Sequence, residues 1–221
     1  MLDILYEDNH IIVCYKTKGI LSQADGSNKP DMLTLIKAYI KDKYNKPGDV
    51  YLGLVHRLDI NTSGVMVFAK TSKAASRLSE QVKKHIFLKK YMAVVEGELK
   101  TDDYILLEAK LLKNEAERKS YISANGQVAK LEYKTLNNYS IKNQNVSLLD
   151  IKLLTGRFHQ IRSQFSAIGH PLYGDTKYGS KNSISQNDFP LYAYSLSFVH
   201  PTLKETMTFE KIEDNIFIKT L

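Results

Sequence analysis

A short polar segment, residues 56–64, carries the side chains best suited to chemistry. His56, Arg57 and Asp59 stand within four residues, and Asn, Thr, Ser and Gly follow before an apolar run begins. Such residues in close order form turns, so we expect Asp59 on a loop at the entrance to a strand, where rigid structure can hold a catalytic carboxylate. The alternative is structural: Asp59 caps the turn, and Arg57 pairs with it at the surface.

A second segment, residues 155–162, is predicted to open a helix. An apolar stripe from Phe158 to Ile168 follows helical spacing, and Gly169 is expected to end the helix. Arg162 falls at the border of this stripe, where a half-buried guanidinium favours a bidentate carboxylate partner, with Asp59 as a candidate.

The start of that helix is rich in hydrogen-bond donors. Arg157, Gln160 and the helix N-terminus together would suit a phosphate. An ordinary amphipathic helix with a basic border explains the same pattern.

A basic stretch, residues 70–90, contains seven Lys or Arg and one carboxylate, Glu80. Its excess of six positive charges is nearly the whole net charge of +7. Lys89 and Lys90 then lead into Tyr91 on a predicted strand, so the stretch could follow an RNA backbone to a ring on which a base stacks. A solvated charged face is the alternative.

Several classes of site lack the residues they need. Cys14 is the single cysteine, and H-E-x-x-H, G-x-S-x-G and the glycine-rich nucleotide motifs do not occur. His56 and Asp59 have no third metal ligand at a diagnostic spacing. We therefore expect no metal and no cofactor, although a hydrolase that uses His56 and Asp59 remains a rival.

Length and composition are those of a globular protein. The chain has 221 residues, of which 43% are hydrophobic and 25% charged, enough for one domain over residues 1–221. No apolar stretch reaches the ~18 residues of a membrane span, and the acidic start is not a signal peptide. We expect a soluble, cytoplasmic protein.

Strands are predicted to outnumber helices, which favours an α+β fold around a mixed, largely antiparallel sheet. The predicted strands are 2–6 and 11–15, joined as a hairpin, then 65–69, 91–95, 146–154, 191–199 and one around Met207 and Phe209. Helices are predicted after Pro30-Asp31, from Ser72 to about Lys84, and along the stripe described above. Residues 137–145 and 180–188 are predicted loops.

In these segments the chain resembles the RluA-type pseudouridine synthases. Residues 56–64 fit H-R-L-D-x-x-T-S-G, and residues 155–162 fit T-G-R-x-H-Q-[IL]-R. Lys90, Tyr91 and Ala93 match the K-x-Y-x-A segment in type and order, with a one-residue offset of the lysine. The family's later block is matched by Gly169, Pro171, Gly174-Asp175 and Tyr178-Gly179. The motifs run in order, so the resemblance covers nearly the whole chain.

The resemblance implies the pseudouridine synthase fold and the isomerisation of uridine to pseudouridine in ribosomal or transfer RNA, without metal or cofactor. The C1′–N1 bond breaks, the uracil turns in place, and a C1′–C5 bond forms. Asp59 takes the place of the catalytic aspartate, and Tyr91 that of the ring packed on the base. Arg162 takes that of the arginine that keeps the aspartate ionised.

RNA contacts are also implied. Arg57 would fill the stack that the flipped uridine leaves, and the remaining RNA-binding candidates are His56, Arg157 and Gln160. The partner is then an RNA stem-loop, with no membrane and no obligatory protein partner, and the protein is expected as a monomer. An RNA-binding module of the same fold without activity is the alternative.

Two positions depart from the family, Thr17 where proline is usual and Gln164 where histidine is usual. Many relatives carry an N-terminal S4-type domain, whereas here the resemblance starts at the first hairpin. We therefore expect the catalytic domain alone.

Overall fold

The computed structural model describes residues 2–184 and 188–212. Within them the chain forms two compact units: the first contains residues 2–88 and 193–211, and the second contains residues 89–184 and 188–192. Each unit combines antiparallel strands with helix, which confirms the predicted α+β class. No helix in the described ranges is long and apolar enough to cross a membrane. The assignment of residues 1–221 to one domain stays a prediction.

Secondary structure in the described residues follows one another in chain order. The strands are β1 Asp3–Glu7, β2 Ile11–Lys16, β3 Gly53–Leu54, β4 Ser63–Ala69, β5 Leu88–Glu96, β6 Ile105–Asn114, β7 Lys119–Ile122, β8 Gln127–Ile141, β9 Gln144–Leu153, β10 Leu191–Val199 and β11 Thr206–Glu210. The helices are α1 Met32–Lys43, α2 Ser72–Lys83 and α3 Gln160–Ala167, with a 3-10 turn at Thr176–Tyr178.

The first unit is organised around a sheet with the order β1-β2-β4-β10, and β11 pairs with β10. The predicted opening hairpin is confirmed: β1 and β2 are antiparallel, and the Asp8 carboxylate accepts the N–H groups of His10 and Ile11 at 2.7 and 2.8 Å. Every residue of β2 and β4 is buried, so both strands lie inside the unit. Cys14 lies on β2 with 0% exposure, and burial raises the pKa of its thiol to about 12.

Both helices of the first unit begin where local sequence predicts. The Asp31 side chain accepts the N–H of Thr34 at 3.0 Å at the start of α1. At the start of α2, Thr71 accepts the N–H of Ala74 at 3.2 Å. Such caps satisfy helix N–H groups that have no partner within the helix.

The second unit contains a sheet with the order β5-β9-β8-β6-β7, whose pairings are antiparallel. The loop predicted over residues 137–145 is wrong, because β8 and β9 continue through it and leave only Lys142 and Asn143 as the turn. Both have positive φ, 49° and 62°, as a tight hairpin turn requires. The polar side chains of this region mark an exposed hairpin end rather than a loop.

The third helix is shorter than predicted. It begins at Gln160, so residues 155–159 form a loop that precedes it, and Ile168 is already its C-cap. Gly169 follows with φ +85°, which confirms its predicted position after the helix end. Of the predicted loop 180–188, residues 185–187 lie outside the described residues, and the remainder forms neither helix nor strand.

Candidate active site

Asp59 lies on a tight turn that leads into β4. The N–H of Thr62 donates to the carbonyl of Asp59 at 3.0 Å, which closes the turn, and β4 starts at the next residue, Ser63. Asp59 is partly exposed, whereas Leu58 and Thr62 are buried at 7% and 2% exposure. The carboxylate therefore stands on a loop anchored on both sides, as the polar segment predicts.

Backbone clamps hold this turn on both sides of Asp59. The Ser22 hydroxyl donates to the Leu58 carbonyl at 2.8 Å and accepts the Leu58 N–H at 3.0 Å. On the other side, the N–H of Gly19 donates to the Ile60 carbonyl at 2.9 Å. Because the residues before and after Asp59 are both fixed to the Lys16–Ser22 segment, the aspartate has little backbone freedom.

Lys16 places a buried cation near this turn. Its side chain is completely buried, and its ammonium donates to the carbonyls of Ile20 at 2.8 Å and of Thr17 and Ile60 at 3.3 Å each. Burial lowers the pKa of Lys16 to about 8, and the charge of Asp59 opposes this effect. The attraction is mutual, so an ammonium at Lys16 favours the ionised form of Asp59.

Gly64 explains why the turn ends in glycine. Its φ of +149° is rarely adopted by residues with a side chain, and a Cβ here would lie 2.4 Å from both the Cβ and the carbonyl oxygen of Ala193. Only glycine lets β4 begin at this angle and distance from its neighbour β10.

Tyr91, in the second unit, lies on β5 opposite Ile151 of β9 and is 6% exposed. Lys89 precedes it by two residues and so lies on the same face of the strand. Burial lowers the pKa of Lys89 to about 8. Lys89 also fits the K-x-Y spacing directly, without the offset that Lys90 requires.

Arg162 is the centre of a buried cluster in the second unit. It is 6% exposed, and its Nε and Nη2 donate to the two oxygens of Asp175 at 2.6 and 2.8 Å. Its Nη1 lies 3.0 Å from Nε2 of His159. The guanidinium carbon lies 4.7 Å from the centre of the Tyr178 ring and 4.5 Å from that of Phe189. The bidentate carboxylate expected for Arg162 is thus present, and in this unit it is Asp175.

The sequence matches one family model over most of its length. That model, described as RNA pseudouridylate synthase, matches residues 10–167, a stretch that includes Asp59, Tyr91 and Arg162. The chain belongs to the RNA pseudouridine synthase family. The members of this family are isomerases that act on uridine in RNA.

Individual relatives agree with this assignment. An uncharacterized RNA pseudouridine synthase of Aquifex aeolicus is 35% identical, over 98% of this chain and 71% of the relative. The ribosomal large subunit pseudouridine synthase C of Haemophilus influenzae is 32% identical, over 96% of this chain and 65% of the relative. The structure of human RNA pseudouridylate synthase domain containing 4 has a TM-score of 0.78 at 21% identity and covers 99% of this chain and 91% of its own, so it shares the fold.

The structure of this synthase gives two predicted RNA-binding residues a packing role. His56 is 8% exposed, its Nε2 accepts the N–H of Val67 at 3.1 Å, and its ring packs edge-on against Phe87. Gln160 is 3% exposed, and its amide oxygen accepts the N–H of Arg157 at 3.0 Å. Their contacts with RNA stay predictions.

The two predicted RNA-binding arginines differ in exposure. Arg57 is exposed. Arg157 is half-buried, lies three residues before α3 rather than on it, and donates from Nε to the Val128 carbonyl at 3.0 Å. The expected phosphate site at the start of the helix is therefore wrong in detail, because Gln160 is committed to the loop.

Sequence reasoning assigned no role to several residues that this synthase uses around its motifs. Asp175, His159 and Tyr178 were letters of the later motif block, and Ser22 lay in no motif. The one available signal was that a buried arginine requires a carboxylate, and Asp175 follows Arg162 in the same block.

Proposed function

We propose that this chain converts uridine in RNA to pseudouridine with Asp59 as its catalytic carboxylate. The turn geometry carries the proposal: Asp59 is partly exposed on a loop that Ser22, Gly19 and Lys16 hold by the backbone on both sides. A catalytic group needs this combination of access and fixed position.

The reaction exchanges one glycosidic bond for another. The C1′–N1 bond breaks and N1 gains a proton, while a C1′–C5 bond forms and C5 loses its proton, so the product is an isomer of uridine. A carboxylate at Asp59 can assist by attacking the sugar at C1′ or by removing the C2′ proton, and it is regenerated on either route. Tyr91 is proposed to pack against the detached uracil, because an aromatic face holds a planar base while allowing it to turn.

Arg162 is proposed to bind the Asp59 carboxylate. A guanidinium has five N–H groups, and Asp175 and His159 engage three of those on Arg162. The two that remain can donate to a second carboxylate. Since Asp175 already neutralises the charge of Arg162, we propose that Arg162 mainly orients Asp59, and that Lys16 supplies the nearby positive charge.

The proposed substrate is structured RNA with a flipped-out uridine, ribosomal or transfer RNA. Relatives named for the large ribosomal subunit make ribosomal RNA the first candidate to test. Arg57 is exposed and is proposed to occupy the space that the uridine leaves. We further propose that the protein acts as a monomer in the cytoplasm.

The test is tritium release from RNA that carries 5-tritiated uridine. Wild-type protein should release tritium, and Asp59→Asn should lower the rate by at least about 10³-fold while RNA binding is retained. The matched control is Asp49→Asn, which changes an exposed aspartate of the same unit. An RNA-binding module without activity predicts no release from wild type, and equal rates for wild type and Asp59→Asn would remove Asp59 from the mechanism.

A further inference from the structure

A histidine beside Arg162 has an unusual backbone and a defined set of hydrogen bonds. His159 has φ +50° directly before α3, a left-handed conformation that is uncommon for residues other than glycine. Its ring stacks on Phe158 with 3.8 Å between centroids. Backbone strain of this kind persists where surrounding contacts hold the residue in place, often near functional groups.

The contacts of His159 determine which nitrogen carries the proton. Arg162 can only donate, so Nε2, 3.0 Å from Nη1, must be the unprotonated acceptor. The proton of a neutral ring then resides on Nδ1, which lies 2.9 Å from the Tyr178 hydroxyl oxygen. That oxygen also accepts the N–H of Ser120 at 2.8 Å, which fixes its position independently of the histidine.

Charges around the ring oppose a second proton. Burial is the main cause that lowers the pKa of His159 to about 3, and cations from three elements add to it: Arg162 on α3, Lys177 on the 3-10 turn, and Lys113 and Arg118 from the β6–β7 hairpin. The Asp175 carboxylate of the same cluster is engaged by Arg162. An imidazolium would also lose its acceptor nitrogen and leave Arg162 facing a like charge.

We propose that His159 is a positioning residue: Tyr178 holds it as the Nδ1–H tautomer, and in that form it fixes the outer end of the Arg162 guanidinium. Asp175 fixes the Nε side of the same group, so the two contacts together determine where the remaining N–H groups point. The catalytic consequence rests on the proposed function, because it matters only if Arg162 orients Asp59. The tautomer itself does not depend on that function.

Nitrogen-15 NMR of the full-length protein with labelled histidine tests the tautomer. The chain has six histidines, and the His159 signals are identified by their absence from His159→Gln. We expect the pattern of a neutral ring protonated on Nδ1 from pH 8 down to about pH 4. An Nε2–H tautomer, or an imidazolium at pH 6, would overturn the proposal.

Kinetics then test the positioning role. His159→Leu removes the acceptor and should lower kcat at least about tenfold with an unchanged KM for RNA, whereas His159→Gln, whose amide oxygen can accept from Arg162, should recover part of the loss. Tyr178→Phe keeps the ring beside Arg162 and should lower kcat while shifting the His159 signals toward the Nε2–H tautomer. Folded Leu and Phe variants with wild-type kcat would refute positioning. Absence of tritium release from wild type would refute the proposed function and leave the NMR result standing.

Discussion

At the scale of single residues, the groups that hold Asp59 lie outside its own motif. The Ser22 hydroxyl bonds both backbone groups of Leu58, and the Lys16 ammonium and Gly19 N–H share the carbonyl of Ile60. Each contact acts on the peptide unit next to the aspartate. The position of the carboxylate therefore depends on residues that never touch the substrate.

Ser22→Ala tests this dependence. The substitution leaves the buried N–H and carbonyl of Leu58 without the hydroxyl, so we expect a loss of about 1–3 kcal/mol in unfolding free energy. We also expect a lower kcat with little change in KM, measured by tritium release at several RNA concentrations.

Ser72→Ala, which changes an exposed serine of the same unit, is the control and should match wild type. If Ser22→Ala turns over RNA at the wild-type rate, the clamp contributes stability alone.

The same residues show what sequence could predict at this scale. The types and spacing of Asp59, Tyr91 and Arg162 pointed to chemistry because motif residues are close in sequence or fit a known pattern. The partner of Leu58 is 36 residues away, and no local pattern encodes such a contact. The Arg162 partner was expected to be a carboxylate, but spacing alone did not distinguish Asp175 from Asp59.

At the scale of elements, one buried carboxylate joins β1, α1 and β4. Glu7 is an acceptor for Lys43 at 2.7 Å and Lys70 at 2.6 Å, and for the hydroxyls of Tyr39 and Tyr44. Burial alone would raise the pKa of Glu7, but these four donors outweigh it and lower the pKa to about 2. The ionised carboxylate therefore stabilises the fold.

Glu7→Gln should remove this contribution. Because the pKa falls from 4.5 in the unfolded chain to about 2 in the folded one, the stabilisation is complete above pH 4.5 and is lost as the pH drops toward 2. We expect the variant to lose about 1–2 kcal/mol at pH 7, allowing for solvent screening at the exposed Lys43, and to have a flatter stability profile between pH 4.5 and 2. Urea unfolding across this pH range measures both effects.

Glu80→Gln is the matched comparison. Its partner Lys84 and the glutamate itself are both more than half exposed, so its removal should change stability little. A wild-type pH profile for Glu7→Gln would show that the cluster does not contribute.

Elements were predictable where their signals are local. The caps Asp31 and Thr71 mark two helix starts, and continuous apolar runs mark β2 and β4. Strand β6 was missed because most of its residues are exposed or half-buried, which removes the alternation that indicates a strand. The start of α3 was misplaced because His159 takes a left-handed backbone that apolar spacing does not report.

At the scale of the whole molecule, the net charge of +7 is concentrated in residues 70–90, but part of it is already engaged. Lys70 binds Glu7, and Arg77 donates to the carbonyl of Pro201 at 2.7 Å. Lys73, Lys83 and Lys84 are exposed on or just after α2. The surface available to an RNA backbone is therefore smaller than the sequence count indicates.

Neutralising these three lysines as Lys73→Gln, Lys83→Gln and Lys84→Gln should weaken RNA binding. If each contacts a phosphate, the slope of log affinity against log salt should fall by roughly 2, measured by filter binding at several salt concentrations. The turnover rate at saturating RNA should not change, because no predicted catalytic group is altered.

The control removes the same charge elsewhere, at the exposed lysines Lys29, Lys41 and Lys46. Equal loss of affinity in both triple variants would mean that overall charge, rather than α2, attracts the RNA.

Chemical silence of the native thiol follows from the burial of Cys14. A cysteine thiol reacts as the thiolate, and with a pKa of about 12 and no exposed surface this one offers almost none to a reagent at neutral pH. The chain has no other cysteine. A cysteine introduced on the protein surface would thus be the single point of attachment for a fluorophore or spin label, and the wild-type sequence can serve directly as the background for reporting RNA engagement in real time.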